Sequence, residues 1–287
     1  MPQKPKLAVI GGSGLYNMPD LRDTQNLDLD TPFGKPSAPI VVGTLEGQSV
    51  AFLARHGIGH HLSPTEVNYR ANIYALKSIG VERVISVSAC GSLREDYAPG
   101  DLVVPDGLFD FTKGRDRTFF EGGMVAHIGV ADPFCPELST DIFNAVESTG
   151  ARVHKGGSFI TIEGPRFSTK AESNIFRGWG LSIIGMTTSP EAYLAREAEM
   201  CYAVMAHVTD YDVWHTSEEP VTVEMVIAVL NKNTEIAQTA IFKIAKESRS
   251  ERDCECDQAL ATALITNPEV IPLETRQKLD LLVKKYL

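Results

Sequence analysis

The chain has 287 residues, 43% of them hydrophobic, and carries a formal net charge of −10. That length and apolar content suffice for one large α/β domain over 1–287, and the acidic balance argues against a nucleic-acid partner, because phosphate backbones are held by clustered Lys and Arg. No apolar run approaches the roughly 18 residues of a membrane span, Met1–Leu7 lacks the apolar core of a signal peptide, and the five cysteines are too scattered for a secreted disulfide framework. The expectation is a soluble cytoplasmic protein with no membrane partner.

In chain order, Leu7–Ile10 reads as a buried strand and Gly11-Gly12-Ser13-Gly14-Leu15 as a loop whose glycines let backbone N–H groups approach an anion. No third glycine follows at dinucleotide spacing and no Lys completes a triphosphate loop, so the run is a phosphate loop or simply a turn. Ser49–Ala54 is a second strand. It ends in Arg55-His56-Gly57, where Arg55 can fork two hydrogen bonds to a phosphate and His56 can add a donor or a proton. A metal site at His56, His60 and His61 ranks lower, because no Cys or acidic partner completes the ligands. Ser63-Pro64-Thr65-Glu66 predicts a capped helix running to Gly80, packed through Ala71, Tyr74, Ala75 and Ile79. Arg83–Val87 has the pattern of a central strand and opens into the small residues Ser88-Ala89-Cys90-Gly91-Ser92. A turn at Pro99-Gly100 leads to a strand over Asp101–Pro105, and Phe109–Phe134 reads as a long irregular excursion containing His127.

Pro136–Thr149 predicts a helix, and Gly157–Glu163 a strand running into Gly164-Pro165-Arg166-Phe167-Ser168, where Phe167 either stacks on a base or belongs to the core. A helix over Thr169–Trp179, a strand over Leu181–Ile184 and a polar exit at Gly185-Met186-Thr187-Thr188-Ser189 follow. The next helix starts at Pro190-Glu191 and leads into the apolar strand Cys201–Val208. That strand ends in Asp210 and Asp212. Side chains two apart on a strand share a face, so the acids can converge on a base needing a proton or on a metal; alternatively one caps a helix and the other is solvated. A long amphipathic helix over Val223–Ser248, with Thr222 as its cap, and two shorter helices near Cys256–Thr266 and Leu273–Tyr286 complete the chain. If the strands are largely parallel, the exits at Gly11, Arg55, Ser88, Gly164, Met186 and Thr209 share one crevice.

These exits carry a resemblance. Gly11-Gly12-Ser13-Gly14, Thr31-Pro32-Phe33-Gly34-Lys35-Pro36, Ala54-Arg55-His56-Gly57, Ala89-Cys90-Gly91-Ser92-Leu93-Arg94, Thr161–Ser168, Met186-Thr187-Thr188 and Thr209-Asp210-Tyr211-Asp212 stand in an order that resembles the nucleoside phosphorylases, specifically their 5′-methylthioadenosine branch. The resemblance runs from about Leu7 to Leu230. It implies a single α/β domain with a central mixed sheet flanked by helices, and a homo-oligomer, trimer or hexamer. It also implies phosphorolysis of a purine nucleoside with inorganic phosphate as co-substrate and no metal or organic cofactor. By the same resemblance, Ser13, Arg55, His56, Ser88, Ala89 and Thr187 contact phosphate. Met186, Tyr211, Asp210, Asp212, Ser168 and a stacking Phe167 contact the nucleoside, and Val223, Val226 and Ile227 wall its 5′ substituent. His127 matches a residue lent across a subunit boundary.

The chemistry can be argued independently. Breaking the ribose–purine bond leaves negative charge on the base, so a protonated Asp210 can deliver a proton or hydrogen bond to nitrogen-7, while Asp212 accepts from an exocyclic amine. Relatives that prefer hypoxanthine or guanine commonly carry Asn in place of Asp210, so the Asp favours a 6-aminopurine. Three other readings remain: a methylthioinosine or general purine nucleoside phosphorylase, a metal-dependent glycosyl-transfer enzyme using Asp210 and Asp212, and a non-catalytic nucleoside binder. Cys254-Glu255-Cys256 lies beyond the matched stretch; free thiols are the default there and a C-x-C bridge the minority reading.

Overall fold

Alternation of apolar and polar positions, with runs apolar on both faces, folds the chain around a large sheet; the computed structural model describes residues 4–12, 14–15, 18, 20–215, 223–247 and 251–287, with backbone alone at 225–226 and 228–232. In chain order the elements are β1 (Leu7–Gly11), β2 (Arg22–Leu27), β3 (Ile40–Leu45), β4 (Gln48–Ala54), α1 (Tyr69–Ser78), β5 (Arg83–Ser92), β6 (Leu102–Val104) and β7 (Gly107–Phe111). They continue with α2 (Pro136–Glu147), β8 (Val153–Lys155), β9 (Ser158–Ile162), α3 (Lys170–Gly178), β10 (Ile183–Gly185), α4 (Thr188–Glu197), β11 (Cys201–Asp210), α5 (Val223–Lys246) and α6 (Leu273–Val283).

All ten residues of β11 are buried, which marks a strand covered on both faces. Its alternation sorts them into two cores. Tyr202, Val204, Ala206 and Val208 pack with Ile73 and Leu76 of α1 and Leu194 and Ala195 of α4. Cys201, Ala203 and Met205 pack with Leu138 and Ile142 of α2 and Ala240 and Ile241 of α5. Each of the larger apolar side chains among them, Val, Leu, Ile or Met, contributes about 1.5–3 kcal/mol by leaving water. The result is a mixed sheet between helical layers, as the resemblance implies.

The eleven strands run β2-β3-β4-β1-β5-β10-β9-β7, with β11 beside β5 and β6 and β8 beyond β11. β1, β4, β5 and β11 are parallel, whereas β10 meets β5 antiparallel. The strands are therefore not largely parallel. Their exits still meet, because β9 and β10 arrive at the far half of β5 from the opposite direction.

Several predicted boundaries shift. Ser88–Ser92 is not an exit loop: β5 continues through it, paired to β11. Ser63–Glu66 forms only a turn, in which Glu66 accepts from Ser63 N–H at 3.0 Å, and the helix starts at an Asn68 cap. The excursion after Phe109 begins with β7. Cys256–Thr266 holds a short 3-10 turn over Glu255–Gln258 rather than a helix. Thr222 lies outside the described residues.

Candidate active site

The site forms where the sheet forks. β5 pairs with β1 only as far as Ile10↔Ser86 and with β10 only from Ile184↔Gly91, so the intervening stretch faces neither strand on that side. β11 closes its other side. Arg83 N–H points to Lys6 O on the β1 side, and by strand alternation Ala89 N–H faces the same way, into the fork.

Asp210 and Asp212 lie at the fork's edge. Gly91 allows this approach: a Cβ there would sit 2.9 Å from Asp210 Oδ1 and 3.2 Å from Asp212 Cβ. The acids converge by a turn, not by strand alternation. Asp212 lies beyond β11 with φ +51°, and its N–H donates to Asp210 Oδ1 at 2.7 Å. Burial raises Asp210 to about 6, with the Asp212 charge adding to the rise, against hydrogen bonds from Thr209 and the Asp212 amide. Thr209 Oγ1 lies 2.6 Å from Asp210 Oδ2 and 3.2 Å from Cys90 O. A hydroxyl has one proton, so Thr209 serves both states: it donates to an ionised Asp210, or accepts from a protonated one while donating to Cys90 O. Burial also raises Asp212, while Ser173 and Ser168 face its carboxylate and lower it. Asp212 Oδ2 is buried and has no hydrogen-bond partner among the described residues. Ser168 Oγ and Ser173 Oγ, which face it, are likewise buried without a partner at hydrogen-bond distance, so two hydroxyl donors stand close to this acceptor.

On the other side of the fork stands Arg55, and here one expectation is corrected. Its fork is closed on Glu191, with Nε and Nη2 each 2.8 Å from a carboxylate oxygen, while Nη2 also reaches Ser86 Oγ at 2.7 Å. Both side chains are buried, at 3% and 0% exposure, and Tyr202 Oη adds a third donor to Glu191. Only the Nη1 edge, whose protein partner is Val87 O, remains to meet an anion. His56 is corrected too. Burial, then the charge of Arg55, lowers it to about 4, and Nδ1 lies 2.9 Å from Leu62 O. A neutral ring donating there presents a lone pair at Nε2, so a phosphate engaging it must bring the proton.

Ser88 and Thr187 are both nearly buried, and Thr187 stands at the N-terminus of α4 with its hydroxyl unused in capping. Ala89 can contribute only backbone. Its carbonyl lies 3.3 Å from where a Gly185 Cβ would be, which places the β10 exit and Met186 against the fork. Ser13 lies outside the described residues.

Phe167 is 40% exposed, so it is not core, and Ser168 beside it is buried. What holds this turn is Arg115, which sequence reasoning missed within the supposed excursion. Its guanidinium donates to Glu163 Oε1 at 3.0 Å, Glu163 O at 2.7 Å, Met186 O at 2.6 Å and Ser189 O at 2.8 Å, knitting together the exits of β9 and β10. Burial raises Glu163, but hydrogen bonds from Thr65, Lys113, Gly114 and Arg115 prevail and hold it at about 2. Nothing in local sequence distinguishes Arg115 from its surface neighbours; its role is tertiary.

The remaining candidates are not brought in by any described contact. The Tyr211 ring packs on Trp214 and His215. Val223 and Ile227 are exposed, and the Val226 side chain is outside the description. His127 is exposed too, its N–H bonded to Ala263 O.

The signature of the phosphorylase superfamily matches residues 6–246. The chain belongs to that superfamily. The S-methyl-5′-thioadenosine phosphorylase of Koribacter versatilis is 52% identical over 281 residues, covering 98% of this chain and 96% of its own. That of Geobacter sulfurreducens is 51% identical over 282 residues, covering 98% and 99%. Among solved structures, a methylthioadenosine phosphorylase from an antarctic soil metagenomic library superposes with a TM-score of 0.91 at 46% identity, covering 97% of this chain and 98% of that one. The Schistosoma mansoni methylthioadenosine phosphorylase in complex with adenine gives 0.84 at 37%, covering 90% and 96%. The likeness thus extends past Leu230, where the resemblance read from the sequence ends, and takes in the C-terminal segment.

Proposed function

We infer that the protein catalyses phosphate-dependent cleavage of 5′-methylthioadenosine to adenine and 5-methylthioribose 1-phosphate, a pentosyl transfer. The observation that carries this is the buried acid pair. Asp210, near 6, is partly protonated close to neutrality and can neutralise a purine leaving through nitrogen-7. The Asp212 carboxylate, faced only by the Ser168 and Ser173 hydroxyls and its neighbouring backbone, can accept from the exocyclic amine of adenine, whereas a 6-oxo purine would set an acceptor against it. The names of the chain's relatives agree, and one structural neighbour holds adenine.

The reaction follows from the fork. The departing base gathers negative charge on the Asp210 side while the sugar carbon gathers positive charge. Phosphate is held on the opposite side by the Ala89 amide, the Ser88 and Thr187 hydroxyls and the Nη1 edge of Arg55, and attacks that carbon. Glu191 fixes Arg55 in place.

The reaction as proposed needs no metal or organic cofactor. The protein works in the cytoplasm as a homo-oligomer, trimer or hexamer, with His127 completing a neighbour's site. Supporting this, His127 is exposed, and among the described residues no helix is long and apolar enough to cross a membrane.

Cleavage measured in parallel on methylthioadenosine, adenosine, methylthioinosine and inosine, with and without phosphate, tests the proposal. Preference for methylthioadenosine and dependence on phosphate are expected. Equal rates on inosine assign a general purine nucleoside phosphorylase instead.

A further inference from the structure

Cys135, Cys201, Cys254 and Cys256 come from three separate stretches of chain, yet their sulfur atoms all lie within 4.8 Å of one another. Cys135 caps the N-terminus of α2, Cys201 opens β11, and Cys254 and Cys256 flank Glu255 in the segment after α5. All are free thiols; Cys254 is half-buried and the others are buried. We propose that these four cysteines form a structural site for a thiophilic divalent cation, zinc by chemical class, which staples the C-terminal segment to the sheet.

A zinc ion bound tetrahedrally lies about 2.3 Å from each thiolate, so its sulfurs stand about 3.8 Å apart. The widest pairs need to close by no more than about 1 Å, and the Cys201–Cys254 pair, now 3.3 Å apart, needs to open by about 0.5 Å to reach that spacing. Four thiolates fill the coordination sphere and leave no position for water, which makes the site structural and separate from the reaction centre. Four thiolates around a divalent ion carry excess negative charge, and the surroundings answer it with donors. Leu138 N–H lies 3.5 Å from Cys135 Sγ at the positive end of α2, and Arg196 Nη1 lies 3.4 Å from Cys256 Sγ. The Arg252 guanidinium faces Cys201.

The staple has a reach. From the cluster the chain runs through the buried Leu260 and Ala263 to Leu264, which bridges Ala126, while Ala263 O accepts from His127 N–H. Anchoring the C-terminal segment therefore also anchors the loop that carries His127.

The test is metal analysis of the intact protein purified under reducing conditions without chelator. About one zinc per chain is expected. Cobalt exchanged into the site should give the intense visible bands of tetrahedral thiolate ligation, lost in Cys256→Ser and kept, shifted, in Cys254→His. Stripping the metal should lower Tm by about 5 °C or more, restored by zinc. Protein that is metal-free and takes up no cobalt, whether its four thiols are free or two or four of them resist alkylation until reduced, overturns the proposal. So does an unchanged cobalt spectrum in Cys256→Ser. Should that variant fail to fold, the wild-type metal count and cobalt spectrum decide alone.

Discussion

Asp210 is a residue at which catalysis and stability oppose each other. Its pKa stands near 6 in the fold against 3.8 in the open chain, so the folded state holds the proton more tightly. Stability is then greatest below the unfolded value and is lost as pH rises through about 6, by about 3 kcal/mol for a shift of about two units. Asp210→Asn removes that penalty. The variant should melt higher than the parent at pH 8 and nearly level with it at pH 4, a comparison thermal unfolding across pH can make. The same substitution should cut methylthioadenosine turnover by about 100-fold or more, inosine-type substrates being far less affected. The alkaline fall in kcat/KM, with its midpoint at or above 6, should vanish with it. Asp210 and Asp212 were legible because two acids ending an apolar strand need a reason. That Thr209 accommodates both protonation states was not, since it depends on Cys90 O from another strand.

Among elements, those apolar on both faces, β1, β4 and β11, were legible, as was α3 with its Thr169–Glu172 capping box. β2 was not, because Arg22–Leu27 is an exposed, polar edge strand with no alternation to detect. Arg55 was legible as the charge that ends β4, but its partner Glu191 comes from α4, and no local pattern joins them. Glu191→Gln keeps the shape and weakens the charge that orients Arg55. Its KM for phosphate should rise about tenfold or more with little change in KM for the nucleoside, as initial-rate measurements over both substrates will report. Arg115→Lys should raise KM for both substrates. It loses the planar fork that ties Met186 O to Glu163 O and holds Met186 O and Ser189 O on either side of Thr187.

At the scale of the whole molecule, the mixed sheet and helical layers followed from the resemblance, while the meeting of opposed strand directions at β5 did not, since the sense of β10 is set by the long path from β9 through α3. Assembly offers a test that separates shared from self-contained sites. If His127 completes a neighbour's site, His127→Ala and Asp210→Asn subunits should each be poorly active alone. Unfolded together and reassembled in equal amounts, they should recover about a quarter of wild-type turnover, since one arrangement in four pairs both intact residues. Activity staying at the level of the separate variants removes His127 from the shared site.

The fork in the sheet also bears on solvent exchange. An amide inside an eleven-stranded sheet is ordinarily sealed by the strand opposite and trades its hydrogen only on global opening. Among the described residues Ala89 faces no such strand on the side of its N–H, so its amide should exchange early in the free protein, among neighbours on β5 that are protected for far longer. If phosphate binds where proposed, its arrival should slow deuterium uptake at Ala89 selectively, the ligand taking up the hydrogen bond that no strand offers on that side.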